Sequence, residues 1–343
     1  MEYDNLVRNL ENFMPSFGDM FYEFYNQMIE GGELPGISVI WELLKNTVAE
    51  NINDTLGVVT SLLMIGILSA VLNQCSNIFS NRQIGELAFY FSYLYAVILL
   101  LNTFYVMAET AVLLVENIIT FTQLMIPAFY IAVAMCYASV TAGAFYQLNL
   151  LLLYAVEIIF PEIVIPMITC FVFTAVISGS TADDRFEELT GLLKKGVTLL
   201  IKICITTVTG VGVMKSLIHP AADCVQYTLF QKTIAAIPGI GDVTASVSKM
   251  FLGSAVLIKN GIGVTALILM ILLACAPLTK IFILAGMIKV SSACVGMFGD
   301  KRLTKCIDRV SEGGFLLLKA TLAVVMILFI MIAMVTAVAG RGM

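Results

Sequence analysis

Residues 315–339 read FLLLKATLAVVMILFIMIAMVTAVA, with one charge, Lys319, in the whole stretch. A hydrocarbon core about 30 Å thick is crossed by about 20 apolar helical residues. This segment is long enough to cross and too long for an ordinary buried strand. Working outward, runs of the same kind recur along the chain. They begin near 56–79, 87–107, 128–140, 144–160, 167–178, 196–214 and 261–289. The composition agrees: 59% of the 343 residues are hydrophobic and 13% are charged. Soluble domains are about 45–50% apolar and about 25% charged. A soluble globule is excluded on these figures. So is an outer-membrane barrel, because the apolar residues come in runs and not in alternation. The expected fold is an all-α polytopic membrane protein, a bundle of about six to eight crossings.

Charge is unevenly spread. Residues 1–55 hold ten acidic and two basic groups, Arg8 and Lys45, against a net charge of -5 for the whole chain. Two amphipathic pieces lie there, at 3–30 and at 37–53, the second with the single tryptophan, Trp41. They read either as interfacial helices or as two helices packed on each other in water. The division is thus an acidic helical segment, 1–55, ahead of a membrane domain, 56–343. The basic residues are densest at 289–312, with Lys289, Lys301, Arg302, Lys305 and Arg309. By the positive-inside rule that loop is cytoplasmic, and the acidic 1–55 segment is extracytoplasmic. The first 30 residues lack the basic-then-apolar pattern of a signal peptide. The charge balance also argues against nucleic acid as a partner.

Prolines and glycines predict interruptions. Glu109 and Glu116 flank an amphipathic stretch ending at Pro127. Pro161 and Pro166 are expected to separate two spans, and Pro277 to break another. The polar segment 215–260 contains Pro238, Gly239 and Gly241 and reads as interfacial helices, re-entrant at that break. Irregular backbone at membrane depth survives only inside protein or beside water. Ile126-Pro127 and Ile237-Pro238, like Pro166 and Pro277, are offset by the same 111 positions. That spacing suggests a weak internal repeat, 87–195 and 196–291, of the kind seen in transporters. Unrelated kinks in an apolar chain are the alternative.

Catalytic chemistry is sparse. There is no phosphate-binding Walker run and no HExxH. With one histidine, His219, and eight cysteines without a CxxC pair, no metal site and no cofactor are expected. The residues of interest are instead ionisable groups near or within spans, each costing about 2.5–3.5 kcal/mol at the bilayer centre. Glu157 and Lys202 form a candidate buried charge pair or line a translocation path. Lys259, Lys280 and Lys319 read as path residues or as lysines snorkelling to the headgroups. The small residues Gly253, Gly261, Gly263, Ser291 and Ser292 point to close helix contacts.

Three blocks give a resemblance. They are Ile237-Pro-Gly-Ile-Gly-Asp-Val-Thr-Ala-Ser-Val247, Leu257-Ile-Lys-Asn-Gly-Ile-Gly263 with Lys259, Asn260 and Gly261, and Pro277 followed by Lys280. Together they resemble the stage III sporulation protein AE family of endospore-forming Firmicutes. The likeness runs more loosely over nearly the whole chain, including Gly32-Glu-Leu-Pro35 and Leu101-Asn-Thr-Phe104. It implies a multi-pass protein of the mother-cell membrane around the forespore. It further implies a non-enzymatic subunit of the stage III A–Q complex, a secretion-like channel needed after engulfment. The implied partners are the other stage III sporulation A proteins, with an ATPase-like AA protein and the channel-forming AH protein, and indirectly the forespore Q protein. Family members commonly begin with a signal peptide, a pattern missing here, so the outside placement of 1–55 rests on charge. The rival reading is a stand-alone secondary transporter or solute channel using the broken helices and embedded charges.

Overall fold

The structure is a computed structural model. It describes residues 55–71, 82–136, 139–180, 187–235, 241–298 and 301–338, with Lys45 and Ile52. The expectations for the 1–55 segment, and for Pro238 and Gly239, fall outside the described residues. All described elements are helical, as the apolar runs require. A shorter apolar helix, α1, covers Thr55–Val71. It is followed by α2, Arg82–Cys136, and α3, Ser139–Ile158. A π-helical turn, Ile159–Val164, leads into α4, Ile165–Ser180. Then come α5, Glu187–Ala235, α6, Gly241–Phe298, and α7, Lys301–Val338. Five stretches are long and apolar enough to cross a membrane: Tyr90–Pro127, Tyr146–Ser178, Glu187–Met214, Ala266–Met297 and Lys301–Ala333.

The helices are longer and less broken than the prolines predict. Pro127 lies inside α2 and Pro277 inside α6, so neither ends its helix. Pro161 and Pro166 do not separate two spans; Tyr146–Ser178 is one continuous stretch. The segment 215–260 is carried mostly by the end of α5 and the start of α6. The physical reason is local. A proline frees the carbonyl four residues back, and in a bundle neighbouring groups resupply it. At Pro161 the chain widens by one residue, and the Ile165 N–H donates to the Phe160 carbonyl. Beside Pro277, which frees the Leu273 carbonyl, α6 runs on, and the Thr279 hydroxyl donates to the Cys275 carbonyl at 2.7 Å. Many other hydroxyls, such as Thr103, Thr110, Thr122 and Thr169, likewise bond back to the carbonyl four residues earlier. A hydroxyl satisfied this way needs no water.

Helix α7 is the centre. It packs against α2, α4, α5 and α6. Its residues Leu303, Ile307, Val310, Leu317, Ala320, Val324, Ile327, Leu328 and Met331 are buried at three- and four-residue spacing. The outer surface is apolar, with Phe91 at 74% exposure, Leu192 at 67% and Ile98 at 66%. A continuous apolar exterior of this kind fits lipid and not water.

Two glycines let α7 sit there. A Cβ at Gly313 would lie 2.2 Å from Val172 Cγ2 of α4 and 3.3 Å from Phe104 of α2. A Cβ at Gly314 would lie 2.8 Å from Ala285 Cβ of α6 and 3.0 Å from Met107 Sδ of α2. Four helices therefore meet at one level, with glycine as the only side chain that fits. Polar contacts reinforce the meeting. Ser311 donates to the Ala285 carbonyl at 3.0 Å and Ser292 to the Thr304 carbonyl at 3.2 Å, joining α6 to α7. Tyr93 donates to the Val176 carbonyl at 2.6 Å, joining α2 to α4.

Candidate functional site

Two groupings of charged and polar side chains stand out among the described residues. The first is the end of the bundle where α4 stops, α5 starts, α6 stops and α7 starts. There Arg309 pairs with Glu187 at 2.5 Å and donates to Thr190 at 3.1 Å. Lys194 pairs with Glu312 at 3.2 Å, and Lys289 pairs with Asp308. Acidic groups at the start of α5 suit the positive end of its dipole. An open groove of about 520 Å³ between α6 and α7 is lined by Lys289, Ser292, Thr304, Lys305 and Asp308. This cluster clamps α5 and α6 to α7. Arg309 is the least exposed member, at 19%. Arg309→Met is therefore expected to lower thermal stability in detergent by about 1 kcal/mol, the usual net worth of such bonds. Glu312→Gln, in a pair exposed on both sides, is expected to change it by less. Equal effects would argue against the clamp.

The second place is deeper, along α2. Asn102, Glu109, Glu116 and Gln123 recur every seven residues, and all four are exposed. Thr103, Thr110 and Asn117 follow each of the first three and are buried. The outer row extends about 31 Å at 1.5 Å per residue, close to a hydrocarbon thickness. Asn102, Glu109 and Glu116 make no side-chain hydrogen bond or ion pair among the described residues. Gln123 donates to Glu157 Oε2 on α3 at 3.4 Å. The seven-residue period was present in the sequence. Reading Glu109 and Glu116 as flanks of a separate stretch hid it, because the row appears only once α2 runs unbroken through them.

The sequence-derived candidates fall as follows. Glu157 and Lys202 do not form a buried pair. Both are exposed, on α3 and α5, and Glu157 takes its hydrogen bond from Gln123. Lys280 is half-buried on α6 and Pro277 is buried beside it; Pro127 is exposed on α2. Gly241, Lys259, Asn260 and Gly261 lie within α6, and Gly263 is buried there. Among the described residues no group of three or more His, Cys, Asp and Glu is placed to hold a metal. Gly313 and Gly314 were not picked out by spacing, since the neighbours that make them essential come from other helices.

Long apolar helices with an apolar exterior, a glycine-packed centre and embedded polar residues define a polytopic α-helical membrane protein. Residues 20–339 match the family model of stage III sporulation protein AE, and the chain belongs to that family of sporulation proteins. It is similar to the stage III sporulation protein AE of Bacillus subtilis (strain 168). The two are 23% identical over 282 residues, which cover 82% of this chain and 70% of that protein. No solved structure matches the chain.

Proposed function

We propose that the chain is a membrane subunit of the stage III A–Q complex, a secretion-like channel linking mother cell and forespore. In this reading it sits in the mother-cell membrane around the forespore with residues 1–55 outside the cytoplasm. It assembles with the other stage III sporulation A proteins, including the ATPase-like AA and channel-forming AH subunits, and through them with the forespore Q protein. It is a non-enzymatic subunit, energised by a partner. The observation that carries the reading is the family match over residues 20–339. The helical bundle supports it, since five of its described stretches are long and apolar enough to cross a membrane. A clean deletion is expected to grow normally and to stop sporulation after engulfment, scored as heat-resistant spores and by microscopy. Full spore yield from the deletion strain would remove the proposal.

A further inference from the structure

Four exposed charges, Glu109 and Glu116 on α2, Lys202 on α5 and Lys319 on α7, fall by sign onto two flanks of the bundle at similar depth. Depth follows from the contacts already described. Gly314 meets Met107 and Ala285, and Glu312 pairs with Lys194. α2, α5 and α7 run parallel from the polar end, and α6 runs against them. At 1.5 Å per residue, Lys319 lies about 8 Å beyond the Gly314 level, Lys202 about 9 Å and Lys280 about 8 Å. Glu109 and Glu116 lie about 3 Å and about 14 Å beyond it on α2. The lysines therefore sit midway between the two carboxylates in depth.

They do not meet within one chain. α7 packs against both α2 and α5, which share no substantial contact among the described residues. Lys319 follows Glu312 by seven residues on α7, and Glu312 reaches Lys194 of α5. Lys319 thus looks out on the α5 flank, where Lys202 is also exposed. The carboxylates look out on the α2 flank, with Glu157 beside Gln123. None of Glu109, Glu116, Lys202 and Lys319 has a side-chain partner among the described residues. Exposed to lipid, each would be an unpaired charge at membrane depth, an arrangement that proteins avoid by facing such groups to protein or water.

We infer that a second copy of this chain covers this face: the Lys202–Lys319 flank of one copy docks head to tail on the Glu109–Glu116 row of the next. A two-fold contact would set carboxylate against carboxylate, so the symmetry must be heterologous. A head-to-tail contact satisfies every charge only when the copies close into a ring.

The test uses full-length chains with two different tags, expressed in membranes and captured from mild detergent. One variant carries Glu109→Lys and Glu116→Lys, the other Lys202→Glu and Lys319→Glu. Each variant alone is expected to lose at least tenfold in capture of its own kind. Mixed together, the two are expected to capture each other, because each reversed flank meets an opposite one. The chain carrying all four substitutions is expected to regain self-association, and wild-type yield of that chain shows that it folds. If the reversed copies failed to fold, a photo-crosslinking residue at the exposed Tyr105 of otherwise native chain would decide. Cross-linked multiples of this chain support the inference. Adducts only with a different protein, or only with lipid, overturn it, as does undiminished self-capture of either reversed variant.

Discussion

Gly314→Val is expected to leave no folded protein in the membrane extract. Helix propensity alone predicts the opposite for the milder change, since alanine is favoured over glycine by about 1 kcal/mol inside a helix. The packing decides against it. A Cβ at position 314 falls 2.8 Å from the Ala285 Cβ, which is fixed to its backbone and cannot rotate away. Overpacking of this sort costs about 1–3 kcal/mol for one methyl group, and valine adds two more. The same logic at Gly313 offers a rescue. Gly313→Ala places its methyl 2.2 Å from Val172 Cγ2, and Val172→Ala removes that atom. The single change is expected to cut monodisperse yield in size-exclusion chromatography severalfold, and the pair to restore most of it. A stabilised Gly314→Ala chain, or a Gly313→Ala defect untouched by Val172→Ala, would show that the helices do not meet there.

Adding one residue to the π-helical turn is the second change with a large expected effect. Glu162 is exposed and lies within Ile159–Val164, so an alanine inserted after it adds no side chain to the core. The turn already absorbs one extra residue by widening, and a second exceeds what one widened turn takes up. Each α-helical residue advances by about 100°, so every position beyond the insertion rotates by that angle relative to α3. Val172 and Val176 turn to the exposed places of Phe173 and Ile177, and the exposed Cys170 turns toward the core. The Tyr93–Val176 hydrogen bond is lost with them. The chain with the insertion is expected to aggregate in detergent, whereas deletion of Glu162, which leaves a plain α-helical turn in the same register, is expected to be far milder. Insertion and deletion of equal effect would mean that the turn carries no register.

The class of the protein was legible in residues such as 315–339, because a lipid interior accepts little besides long apolar helices. The same is true of the family, whose blocks around Pro238, Lys259 and Pro277 lie along the chain itself. The prolines misled for a physical reason. Pro127, Pro161, Pro166 and Pro277 each remove a hydrogen bond, and whether the helix ends there depends on what resupplies the carbonyl. At Pro161 a widened turn takes up the strain, and at Pro277 the proline is buried and α6 runs on through it. Glu157 and Lys202 looked like a pair because both are ionisable and near mid-span. Pairing is set by which flank each helix presents, and α3 and α5 present different ones.

The sequence by itself therefore determined the solvent this protein lives in, its helical class and its family. Those follow from composition, run length and blocks of neighbouring residues. Only the tertiary structure decided that helices run on through prolines and that α7 needs glycine at 313 and 314. It also decided that acidic and basic residues at one depth lie on opposite flanks. Each of these depends on atoms from helices far apart in the chain, and no local pattern encodes their distance.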